Sequence, residues 1–91
     1  MSTKTIDQVS TDITLGTPHK CILFNDMTHS TEEVSAQIVK ATGFPLTKAM
    51  EIMLQAHMNG QAIVITAGLE RCEHVSAVLE EIRLSTRVEP A

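Results

Sequence analysis

Tryptophan and tyrosine are absent from this chain, and phenylalanine occurs only twice. An interior without large rings must be filled by Ile, Val, Leu, Met and Ala, and no aromatic platform is available on which nucleobases stack. A basic stripe is missing too. Seven Lys and Arg against 11 Asp and Glu give a formal charge of −4 with the signs interspersed, so no nucleic-acid partner is expected. No apolar run is long enough for a membrane span or a secretory signal, so a cytoplasmic chain without a membrane partner is expected. The two cysteines, Cys21 and Cys72, lie far apart with no C-x-x-C spacing. Each falls on an apolar position, which favours buried reduced thiols over a disulfide. His19, His29, His57 and His74 show no ligand spacing, and neither G-x-S-x-G, G-x-G-x-x-G nor a P-loop occurs. The expectation is a protein without metal or cofactor that is not an enzyme.

What is present suits one small domain. The first 18 residues, rich in Ser and Thr and closed by Gly16 and Pro18, read as a flexible arm. The remaining chain, 19–91, must make the core, and its four Met residues, of five in the whole chain, make part of that core adaptable. "KCILFN" (20–25) reads as a strand. Ser30 to Glu33 has the spacing of a capping box, and Val34, Ile38 and Ala41 continue it as a helix over 31–42 that stops at Gly43. A second helix is expected from an N-cap at Thr47 to Met58, with Gly60 closing it and Met50, Met53 and His57 on one face. "QAIVITA" (61–67) reads as a strand too uniformly apolar to have a wet face. After Gly68 a third helix carries Cys72, Val75, Leu79 and Ile82 on one stripe, and a short edge strand is expected around Arg87 and Val88. The order is β-α-α-β-α-β, an α+β domain with helices packed on one face of a three-stranded sheet.

Two places carry possible chemistry. Asn25 and Asp26 end the first strand. They make either an Asx-turn into the helix or a polar clamp, since an amide carbonyl and a carboxylate both accept hydrogen bonds from an ammonium group. His57 is either a boundary residue of its helix or one more acceptor in the same clamp, a role that needs the unprotonated ring.

The pieces "ILFND", "KAMEIMLQAHMNGQA" and "LERCEHV" stand in the order found in the ClpS family, which this chain resembles over residues 19–83. "KAMEIMLQAHMNGQAIV" is similar to that family's K-A-T-x-[IL]-M-L-x-V-H-x-x-G-x-A segment, and the Asn-Asp pair is its other hallmark. The resemblance implies an adaptor that binds the free N-terminal residue (N-degron) of substrate proteins. It also implies delivery to a Clp AAA+ unfoldase–protease, with the N-terminal domain of a ClpA- or ClpC-like unfoldase as partner. By motif position, Asn25, Asp26 and His57 would hold the substrate α-amino group. Val34, Met53 and Ala56 would line the side-chain pocket with Thr31 at its lip, and Glu70 would dock the unfoldase. Several positions depart from the family pattern. Met27 stands where a third acidic residue is usual, His29 where a supporting Thr is, Thr31 where a guarding Met is, and Ala56 where a Val is. The basic docking partner would fall on Val75. These departures motivate an alternative, a ClpS-like protein that has lost N-degron selection and acts as a regulator or partner-binding module. A more distant similarity, of "VKATGFPLTKAMEIM" to the stalk protein of the large ribosomal subunit, lacks the Asn-Asp and His set.

Overall fold

Strand β1, His19–Phe24, is the spine of the molecule: Cys21, Ile22 and Leu23 in its middle are all buried. It carries a neighbour on each edge, β2 (Gln61–Ala67) and β3 (Thr86–Pro90), both antiparallel, in the order β2-β1-β3. The computed structural model describes residues 17–91, so the expected arm lies outside the described residues apart from Thr17 and Pro18. Pro18, just before the sheet, is tied to the chain's last residue, its carbonyl accepting the Ala91 N–H at 3.1 Å.

Three helices complete the β-α-α-β-α-β order: α1 (Thr31–Thr42), α2 (Leu46–Asn59) and α3 (Leu69–Glu80). Helix α1 starts at a reciprocal capping box, with Ser30 Oγ accepting the Glu33 N–H and Glu33 Oε1 accepting the Ser30 N–H. It ends on Gly43 at φ 79°, the left-handed conformation that glycine adopts without a Cβ clash. Its apolar stripe, Val34, Ile38 and Ala41, enters one core with Leu23, Ile52, Met53, Val64, Val75 and Leu79. Gln37 Nε2 donates to the Val78 carbonyl at 2.6 Å and so ties α1 to the end of α3 inside that core. The exposed Lys40–Glu81 pair at 3.0 Å adds about 0–1 kcal/mol at most.

The structure corrects three sequence expectations. Helix α2 begins at Leu46, so Thr47 lies inside its first turn and is not the N-cap. Pro45 flanks the helix with no side-chain cap bond, and its ring-fixed φ of −58° preorganises the entry. Strand β2 does have a wet face, with Ile63 49% exposed. Its register with β1 skips Val64, since Cys21 pairs with Ile65 and Ile22 with Ile63. This β-bulge turns the adjacent Val64 and Ile65 both toward the core, and two consecutive inward residues made the run look buried on both faces. Ile82 lies beyond α3, in a turn where Arg83 takes φ 68° before the buried Leu84 leads into β3. Cys21 and Cys72 are both free and buried.

Candidate functional site

The end of β1 is pinned to the end of α2. The Asn25 N–H donates to the Gly60 carbonyl at 2.9 Å, and Gly60, at φ 88°, closes α2 by donating to Ala56. This one link brings residues 25 and 26 beside the last turn of α2, where His57 sits. Helix α1, entering through Ser30, supplies the third side.

A cavity of about 30 Å³ lies where the three meet. Asn25, Asp26, His29, Thr31 and His57 form its polar lip, and Leu23, Val34, Met53, Ala56 and Leu84 its apolar floor. All seven residues expected at the amine and side-chain positions therefore line a single cavity. Glu70 is not among them; it lies exposed in the first turn of α3. Val75 is fully buried in the core, so the position expected to hold a basic docking partner cannot present one.

Asp26 organises the lip. Its Oδ2 accepts the backbone N–H groups of Thr28 at 3.1 Å and His29 at 2.5 Å, and faces His29 Nδ1 at 2.8 Å. Its Oδ1 accepts the Thr28 hydroxyl at 3.1 Å. The Asx-turn is thus real, and it occupies the carboxylate with local donors. Burial would raise the Asp26 pKa, but the hydrogen bonds from His29 and Thr28 outweigh it and hold the carboxyl below its ordinary value. A carboxylate only accepts, so the proton between it and His29 sits on Nδ1. Asn25 Nδ2 lies 3.5 Å from Met27 Sδ, and Met27 itself is 86% exposed and outside the cavity wall. The Asn25 carbonyl oxygen accepts no hydrogen bond among the described residues, and neither does any ring nitrogen of His57.

Sequence reasoning missed four contributors to the wall, Leu23, Phe24, His29 and Leu84. His29 had a legible signal, since a residue three positions after an Asx-turn Asp is within reach of its carboxylate. Leu23 and Phe24 are simply the end of the strand. Leu84 had none, because it reaches the floor only through the left-handed turn at Arg83. Among the described residues no group of three His, Cys, Asp or Glu could hold a metal ion, and no helix is long and apolar enough to cross a membrane.

A polar, acceptor-rich lip over an apolar floor on a small α+β scaffold has the form of a peptide- or amino-acid-binding module. Residues 16–87 match the family model described as ATP-dependent Clp protease adaptor protein ClpS. The chain is 34% identical over 94 residues to the ATP-dependent Clp protease adapter protein ClpS of Gloeobacter violaceus (strain ATCC 29082 / PCC 7421), covering 99% of this chain and 98% of that one. Its fold superposes with a TM-score of 0.77 on the structure of Agrobacterium tumefaciens ClpS2 bound to L-phenylalaninamide. That match covers 84% of this chain and 99% of the other at 20% identity. The chain belongs to the ClpS family of Clp protease adaptors.

Proposed function

We propose that the cavity binds the first residue of a substrate protein, its α-ammonium group at the lip and its side chain against the floor, and that the chain hands such substrates to a Clp AAA+ unfoldase. One observation carries this reading: Asn25, Asp26 and His57, from segments far apart in sequence, converge with Val34, Met53 and Ala56 on one cavity. Three acceptors of different kinds suit the three donors of an ammonium group, Asp26 through the Oδ1 lone pair that Thr28 leaves open. Met27 offers no carboxylate here, and His29, on the lip beside Asp26, holds that carboxylate in place. L-phenylalaninamide, bound by the Agrobacterium relative, has a free α-amine and a blocked carboxyl, the chemistry of a peptide's first residue. At about 30 Å³ the cavity holds roughly one water, so a Leu or Phe side chain enters only as wall residues such as the adaptable Met53 repack. Glu70, exposed beside Arg71 on α3, remains the proposed contact for the N-terminal domain of a ClpA- or ClpC-like unfoldase, without a basic partner at Val75.

The test is fluorescence anisotropy with short labelled peptides beginning with Leu, Phe, Tyr, Trp, Ile or Met, with an N-acetylated Leu peptide as control. Binding of bulky apolar starters that acetylation abolishes is the expected result. If acetylated and free peptides bind alike, or neither binds while the chain still binds an unfoldase, the alternative of a regulator without N-terminal selection holds.

A further inference from the structure

A second concavity adjoins the cavity. It is a groove of about 290 Å³ between α1 and the first half of α2, and Thr31 and Met53 belong to the walls of both. Its apolar wall is unusually bare, with Leu46 56% and Met50 44% exposed. Its other wall holds Ser35, whose Oγ is buried without a hydrogen-bond partner among the described residues, and the exposed Glu32. A buried hydroxyl left unpaired is destabilising, and a ligand that supplies its partner recovers part of that loss.

The spacing identifies which part of a substrate reaches the groove. On α2 the cavity is lined by Met53, Ala56 and His57 and the groove by Leu46, Met50 and Met53. At 1.5 Å of rise per residue, the two centres lie about 8 Å apart along the helix axis. In an extended peptide, two residues span about 7 Å and side chains one and three point to the same face. For an extended substrate laid along α2 toward its N-terminal end, the first side chain in the cavity puts the second toward solvent and the third at the groove.

Building on the proposed first-residue site, we propose that this groove is a second subsite that takes the side chain of the substrate's third residue. It favours a long apolar side chain ending in a hydrogen-bond donor, such as tyrosine. Leu46, Met50 and Met53 bury the ring, and Ser35 Oγ and the Glu32 carboxylate accept from the tip. The same carboxylate repels an acidic third residue.

The test uses anisotropy of labelled Leu-Ala-X peptides with X as Tyr, Phe, Ala or Glu, each free and acetylated. Tyr should bind about fivefold more tightly than Ala, with Phe between them and Glu weakest, the size expected for a partly buried side chain. Ala36→Phe, at an exposed position on the groove wall, should collapse the Tyr-to-Ala ratio toward one. Met50→Ser on the opposite wall should reduce it as well, which covers a failure of the first variant to fold. Equal affinities for Tyr and Ala, with binding still sensitive to acetylation, would overturn the second subsite and leave the first-residue site standing. A Tyr preference that survives both variants places the third side chain elsewhere and overturns it too. Loss of all acetylation-sensitive binding removes both proposals.

Discussion

The two helices that flank the site begin in opposite ways. Helix α1 enters through an Asx-turn and a reciprocal capping box, so Asp26, Ser30 and Glu33 between them fix its first turn. Helix α2 enters through Pro45 with no side-chain cap and no acidic residue in its first turn, and Leu46 there is more than half exposed. The lip that would meet a charged group is over-determined. The apolar wall that would meet side chains of varied shape is held mainly by burial of Ala49, Ile52 and Met53 further along. Rigidity is placed where hydrogen-bond geometry matters and slack where packing must adapt.

The hardest blow to this contrast is Asp26→Ala. It strips Thr28 and His29 of their shared acceptor, so unfolding free energy in urea should fall by about 1–3 kcal/mol. Acetylation-sensitive peptide binding should weaken at least about tenfold. Unchanged stability would mean that the lip is not stiffened by this network. Acid probes the same group without mutation. The folded-state pKa of Asp26 is depressed, so its contribution is present above the unfolded carboxyl's pKa and lost as pH falls through the folded value. Titration from pH 7.5 to 5.5 leaves that contribution intact, and the loss of stability is expected only at more acidic pH.

Smaller effects sharpen the comparison. Ser30→Ala removes half of the capping box and should cost about 0.5–2 kcal/mol in the same urea experiment. Thr47→Ala should change stability by less than about 0.5 kcal/mol, because Thr47 is inside α2 and caps nothing. Equal costs for the two would erase the difference between the helix entries.

Most of the fold was legible because its signals are local. Ser30 to Glu33, Gly43 and Gly60 mark helix ends whose chemistry needs only neighbouring residues. What escaped depends on partners distant in sequence. The bulge at Val64 exists only against the register of β1, and the place of Leu84 depends on a left-handed Arg83, an uncommon conformation for a non-glycine residue. Thr47 was read as the entry to α2 from its hydroxyl, whereas the chain enters through Pro45, whose ring fixes φ without a side-chain cap. The site followed the same division. Asn25, Asp26 and His57 could be nominated from residue type and family resemblance, whereas their meeting depends on the Asn25–Gly60 hydrogen bond between two elements. His29 was read as a replaced neighbour; only the geometry shows its ring on the Asp26 carboxylate.

The buried sulfurs have a practical consequence for labelling. Burial above all, with Cys72 and Glu80 nearby, pushes the Cys21 thiol up to about 11, and Cys72 points its Sγ at the Ala67 carbonyl 3.7 Å away. At pH 8 the reactive thiolate of Cys21 is then on the order of one part in a thousand, and water-borne electrophiles cannot reach it in the folded state. A cysteine introduced on the solvent face, at Ile63 for instance, would be the sole site for a maleimide dye in the native chain. Uptake of more than one dye per molecule would then measure how often the sheet opens.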